Sequence, residues 1–347
     1  MTTQAAQKEQ PLLSVQNLSI KIKMDNGTMN AVDGVDFEIH KGKTLGLVGE
    51  SGCGKSLTSR SIISINPKEC ETTGEIIYNS DSEAWLNQLN ILSLKPAGKQ
   101  IRSIRGRKIA MIFQEPMTAF SPMYTIGNQM MEAIRIHRTK NKKEAKKIAL
   151  EMLAKVGISD QEKRFDQYPH EFSGGMRQRA MISMALSCNP EILIADEPTT
   201  ALDVTIQAQV LELMKKLQSE FGMAILLVTH DLGIIAQMCD EVAVMYLGKI
   251  VEQAPVKEIF ANPKHPYTKG LMKSMPRLGG GKTKRLDSIE GSVPIPIDMP
   301  PMCGFYDRCK DRIEGVCNMS AVPKTQISDQ HSVRCFLYSD QREGESQ

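Results

Sequence analysis

Residues 49–56 read GESGCGKS, eight positions holding three glycines, a lysine and a closing hydroxyl. Gly49, Gly54, Lys55 and Ser56 match the pattern G-x-x-x-x-G-K-[ST]. At ordinary residue frequencies a chain of this length matches that pattern by accident about once in a hundred. The surroundings sharpen the match: KTLGLVGE (43–50) is a strand running straight into the loop, and SLTSRSII (56–63) begins like a helix. Glycines let the N–H groups of consecutive residues, here Ser51, Gly52, Cys53, Gly54, Lys55, Ser56 and Leu57, turn inward as an anion nest. The helix N-terminus adds partial positive charge, Lys55 reaches the terminal phosphates, and the Ser56 hydroxyl ligates magnesium. The stretch therefore reads as a phosphate-binding loop and not as a bare flexible turn.

Working outward, EILIADEP (191–198) is an apolar strand ending in two acids. At a strand's carboxyl end beside the loop, Asp196 can hold magnesium, usually through water, while Glu197 can polarise an attacking water. His230 closes the apolar strand MAILLVT (223–229), and Gln114 ends the apolar segment of MIFQEP (111–116), both suited to the same sheet edge. Strand and helix alternate through this region, which argues for an α/β domain with a mainly parallel sheet. Residues 142–156 put Ala145, Ile148, Ala149, Met152, Leu153 and Val156 on one helical face, with Gly157 at the stop. The basic run around that helix, Arg135 to Lys147, reads as a solvated face.

Composition bounds the rest. With 41% hydrophobic and 24% charged residues in 347 positions, the chain is an ordinary globular protein, and a net charge of +3 gives no reason to expect nucleic acid. The first residues lack a signal-peptide pattern, and no run approaches the roughly 20 apolar residues that span a bilayer. Four of the eight cysteines gather near the end with spacing C-x5-C-x7-C-x17-C: Cys303, Cys309, Cys317 and Cys335. Four thiolates can bind zinc or an iron–sulfur cluster, and spacing does not choose between them. His331 and Arg334, close to Cys335, are candidates to tune such a site.

EFSGGMRQR (171–179) completes a set that resembles the ATP-binding cassette (ABC) transporter nucleotide-binding subunits. Ser173, Gly174 and Gly175 match the heart of that family's signature motif, Gln114 its Q-loop, Ala201, Leu202 and Asp203 its D-loop, and His230 its switch histidine, in family order over about residues 12–255. Phe172 and Met176 depart from the usual Leu and Gln of the signature. The aromatic that commonly stacks on adenine falls at Ile22 or a neighbour. The resemblance implies an α/β fold: a P-loop NTPase (RecA-like) nucleotide-binding domain with antiparallel β and helical subdomains, plus a small Cys-rich C-terminal extension. It implies ATP and Mg2+ as ligands, with Glu197, His230, Gln114 and Lys55 catalytic and Ser56, Gln114 and Asp196 serving magnesium. It also implies that Ser173, Gly174 and Gly175 act on nucleotide held by a sister subunit and that Asp203 is a nucleotide-site residue.

NPKHPYTKGLM (262–272), GSVPIP (291–296) and CGFYDRC (303–309) resemble the C-terminal extension of the oligopeptide and dipeptide importers. That implies a four-iron, four-sulfur cluster, in preference to zinc, on the four cysteines. The expected organisation is a disordered N-terminus (1–11), the nucleotide-binding domain (12–262) with its helical subdomain at about 115–175, a linker or extension (263–302), the four-Cys unit (303–338) and a disordered tail (339–347). The expected partners are a second, related but non-identical ABC ATPase, two integral membrane permeases met through EPMTAFSPMYT (115–125), and, indirectly, an extracellular or periplasmic solute-binding protein. The expected location is the cytoplasmic face of the membrane. A soluble ABC factor in translation or DNA repair, and an exporter's motor, are the rival readings.

Overall fold

A computed structural model describes residues 10–115, 119–200, 202–275 and 289–339. The expectations for the extreme ends, for 116–118 of the docking segment, for Ala201 and for the glycine-rich part of the extension lie outside these residues.

Among the described residues the strands are β1 (Leu13–Met24), β2 (Gly27–Ile39), β3 (Thr44–Val48), β4 (Cys70–Tyr78), β5 (Leu89–Asn90), β6 (Ile109–Ile112), β7 (Ile192–Asp196), β8 (Ala224–Thr229), β9 (Glu241–Tyr246), β10 (Lys249–Pro255), β11 (Thr325–Ser328) and β12 (His331–Val333). They form two sheets, an antiparallel one in the order β2-β1-β4-β5 and a mixed one in the order β11-β12-β10-β9-β3-β8-β7-β6. From β9 to β6 all neighbours of the second sheet run parallel. Its central strands β3, β7 and β8 are buried at every position, because helices cover one face of the sheet and the antiparallel sheet with helix Lys55–Ser61 packs on the other.

A helical group, Ile126–His137, Lys142–Lys155, Gln161–Phe165 and Gly174–Leu186, packs beside the parallel sheet. The Lys142–Lys155 helix begins where Asn141 caps it, its side chain accepting from the N–H groups of Lys143 and Glu144. Its six expected apolar positions are buried, and Gly157, at φ 75°, turns the chain out of it.

The described parts of 263–302 are not merely linker. Helix Pro266–Lys273 lies in it, started by the His265 ring, whose Nδ1 accepts from Tyr267 N at 3.0 Å. Burial pushes the His265 pKa down to about 3, so the ring stays neutral and its nitrogen is free to accept. Farther on, Met29 and Ile297 form a β-bridge, and the Asp298 carboxylate accepts from Thr28 N. Nor is the chain after 303 detached: β12 pairs with β10 and, with β11, widens the main sheet. His331 is 1% exposed and contacts the buried Glu252 at 2.8 Å, while Arg334 donates to Gly34 O at 3.3 Å. His331 therefore ties the extension to the main sheet and Arg334 ties it to β2 of the antiparallel one.

Candidate functional site

Because β3, β8, β7 and β6 are adjacent and parallel, their carboxyl ends share one edge. β3 ends at Val48 and releases the glycine loop, β8 leads to His230, β7 ends at Asp196 with Glu197 next, and Gln114 stands two residues past β6. Four sequence segments up to 181 residues apart thus deliver their polar groups to the edge where ligands of open α/β sheets bind.

The loop's glycines answer to local geometry. A Cβ on Gly49 would stand 2.1 Å from Met245 O, and Gly54 precedes helix Lys55–Ser61 at φ 101°, a conformation that disfavours side chains. The Lys55 side chain lies inside the loop, donating to Gly49 O at 2.8 Å and Glu50 O at 2.9 Å. Cys53 is buried, which pushes its thiol up in pKa against the nearby Lys55 charge.

Ser56 Oγ donates to Asp196 Oδ1 at 3.0 Å. The other oxygen, Asp196 Oδ2, is buried with no hydrogen-bond partner among the described residues. Burial raises the Asp196 pKa, opposed by the Ser56 hydrogen bond. A serine hydroxyl beside an unpartnered buried carboxylate oxygen is a donor set that suits a hard divalent cation such as magnesium.

Glu197 has a positive φ of 48°, a backbone state costing on the order of 1–3 kcal/mol that lets its side chain leave the strand end toward its neighbours. Its carboxylate receives Gln114 Nε2 at 2.9 Å and Thr200 Oγ1 at 2.9 Å, with His230 Nδ1 at 3.1 Å. Burial alone would raise its pKa, but the hydrogen bonds from His230 and Thr200 and the charges of His230 and Lys55 outweigh it and hold Glu197 below the usual carboxylate value. The carboxylate is therefore ionised at neutral pH. Gln114 contacts this group and not the Ser56–Asp196 pair. Thr200 went unnoticed in the sequence, although its place three residues after Glu197 puts it in the same turn.

Ser173, Gly174, Gly175 and Asp203 stand elsewhere. They line one hollow of about 410 Å³ with Met176, Arg179, Leu202 and Ile206, and no phosphate-loop residue joins them. Ser173 caps helix Gly174–Leu186, its Oγ accepting from Met176 N at 3.3 Å, and Asp203 caps helix Val204–Phe221 through Ile206 N at 2.9 Å. A 13-residue helix beginning with two glycines offers unhindered N–H groups and the positive end of its dipole.

Cys303, Cys309, Cys317 and Cys335 line a common cavity with Phe305 and Phe336. Among the described residues no group of three or more His, Cys, Asp or Glu side chains is arranged to hold a metal ion. Burial, reinforced by the charges of the other thiolates, pushes Cys303 up to about 12, and burial raises Cys335 to about 11.

Residues 32–200 match the family model described as ABC transporter, and residues 251–317 match the one described as oligopeptide/dipeptide transporter, C-terminal region. The chain is 49% identical to the dipeptide transport ATP-binding protein DppD of Bacillus subtilis, over 95% of this chain and 96% of that protein.

The chain belongs to the ABC transporter family.

This cassette is also 47% identical to the oligopeptide transport ATP-binding protein AppD of Bacillus subtilis, with 95% and 98% of the two chains covered. Its fold is similar to that of the ATP-binding cassette MJ0796, solved as a dimer in a post-hydrolysis state bound to ADP and Pi. That match has a TM-score of 0.61 and 26% identity, over 70% of this cassette and 98% of the solved chain. The portion outside the match leaves room for the C-terminal region that the second family model recognises.

Proposed function

We propose that this chain is the ATP-hydrolysing subunit of an ABC importer of dipeptides, oligopeptides or a related small solute. The observation that carries the reading is the gathering of Lys55, Ser56, Asp196, Glu197, Gln114 and His230 at one sheet edge in a chain so similar to named peptide-transport ATP-binding proteins. The loop amides from Ser51 to Leu57 and the Lys55 ammonium take the phosphates, the ammonium exchanging the loop carbonyls for phosphate oxygens. Ser56 and Asp196 would hold magnesium, which would supply charge neutralisation of the phosphates. Glu197 accepts a proton from the attacking water, Gln114, hydrogen-bonded to Glu197, orients that water, and His230 steadies the γ-phosphate.

The Ser173–Gly175 face and Asp203 serve the nucleotide of a second cassette, a related non-identical chain. This is supported by their separation from the loop within one chain. ATP then holds two cassettes together, and hydrolysis lets them part and moves two membrane permeases. Exposed Phe113, Met123 and Tyr124, flanking Gln114 and the following segment, suit docking of a permease's cytoplasmic helix. The chain would sit at the cytoplasmic face, held there by the permeases; no helix among the described residues is long and apolar enough to cross a membrane. Co-purification tests the assembly: two integral membrane proteins and a second cassette are expected with this chain, and recovery with nucleic acid instead would contradict it.

The division into a nucleotide-binding domain (12–262) and a C-terminal extension remains our reading, with the extension built onto the cassette. Cys303, Cys309, Cys317 and Cys335 would hold a four-iron, four-sulfur cluster. Four thiols lining one cavity support this, while the absence among the described residues of three or more side chains arranged to hold a metal ion counts against the cluster and zinc alike. The cluster would supply a covalent tie holding the extension's turns together. Protein purified without oxygen is expected to carry iron and acid-labile sulfide near four of each per chain. Zinc without sulfide, or neither metal, would overturn the assignment.

A further inference from the structure

The phosphate loop is gripped from outside by a residue that the chemistry above does not use. Glu50, the loop's second residue, receives both terminal nitrogens of Arg308, Nη1 to Oε2 at 2.7 Å and Nη2 to Oε1 at 3.0 Å. The Glu50 backbone N–H donates to Tyr267 Oη at 2.9 Å, and its carbonyl accepts from Lys55 Nζ at 2.9 Å. One residue thus links the extension to the lysine that meets phosphate.

The Arg308 side chain is only 6% exposed and is itself held in place. Its Nε donates to Glu290 O at 3.0 Å, and Nη1 also reaches Tyr246 Oη at 3.3 Å. The guanidinium carbon lies 5.8 Å from the centroid of the Tyr246 ring and 5.9 Å from that of Phe305. A fork so fixed sets the plane of the carboxylate as well as its distance, which a single point charge does not do. Gly49 meanwhile leaves no space for a Cβ against β9, so the start of the loop is confined between that strand and the extension. Arg308 directly precedes Cys309 in the cysteine unit.

We propose that Arg308 is a positioning residue for nucleotide binding: by clamping Glu50 it fixes the start of the phosphate loop and couples nucleotide affinity to the folded state of the C-terminal extension. The inference rests on the phosphate-loop reading given above. Coupling of this kind is reciprocal, so bound nucleotide steadies the extension by the same factor by which the extension steadies nucleotide.

The test uses the full chain with MgADP as probe, its affinity measured by calorimetry. Arg308→Gln and Glu50→Gln are each expected to weaken binding about tenfold, as loss of a charge-assisted contact does. The double variant is expected to bind no worse than the weaker single, since both remove the same clamp. Arg308→Gln should raise KM for ATP about tenfold with kcat within about twofold, and Arg308→Lys should recover part of the affinity. In the unmodified chain MgADP should slow hydrogen exchange across 303–317, and in Glu50→Gln, which leaves the extension's own residues intact, it should not. MgADP affinity within twofold of the unmodified chain, with only a lower Tm, would overturn the proposal by reducing the pair to a structural staple. Losses that multiply in the double variant would overturn it as well. Lys55→Ala run alongside separates the two levels: if it retains affinity the phosphate-loop reading itself fails, and if it loses affinity while the Glu50 and Arg308 variants do not, only the present inference falls.

Discussion

Glu197→Gln is expected to bind ATP as tightly as the unmodified chain and to turn it over about 10²–10³-fold more slowly, the usual weight of a general base. The substitution keeps the side chain's shape and the positive-φ turn that aims it, and removes only the ability to take a proton from water. Phosphate release under single-turnover conditions measures this directly. A rate near that of the unmodified chain would remove Glu197 as the base. The pH profile carries the same information. Because hydrogen bonds from His230 and Thr200 overcome the opposing effect of burial and hold the Glu197 pKa down, activity should be intact at neutral pH. It should be lost only as the pH falls below the usual carboxylate range.

Lys55→Ala should do the reverse, destroying binding and not merely turnover. The ammonium sits inside the loop on two backbone carbonyls, already desolvated and aimed where the terminal phosphates arrive. Hydrogen bonds to charged partners contribute about 1.5–3 kcal/mol each, so MgATP affinity should drop by at least about a hundredfold. Calorimetry on the folded variant checks it, and an affinity within a few-fold of the unmodified chain would contradict the assigned role.

Most of the nucleotide edge was legible in the sequence because each part is local. A buried strand, a loop of forced geometry and a helix start occupy consecutive residues at 43–61, and EILIADEP states its strand and its acids in one phrase. The Lys142–Lys155 helix was readable from its period alone. The extension was harder. Residues 263–302 look like linker because prolines and glycines dominate, yet Pro266 sits at a helix start where proline is tolerated, and His265 supplies the cap. β12 has three residues, and Gln253 pairs with Ser332, so its membership of the main sheet depends on a partner far along the chain. The Arg308 clamp on Glu50 spans 258 positions. Periodicity reports which face a residue shows to its own element and carries no information on which distant element arrives there.

Central to the proposed function is one arrangement, in which the loop of one cassette and the Ser173–Gly175 face of another close on the same triphosphate. The most direct measurement is the mass in solution of the Glu197→Gln chain, mixed with the second cassette proposed as its partner, with and without MgATP. The account predicts a one-to-one pair that forms with MgATP, falls apart with MgADP and is lost when Ser173 is replaced by a bulky residue such as Phe. Chains that stay single with MgATP, or that pair equally well after the Ser173 change, would contradict it.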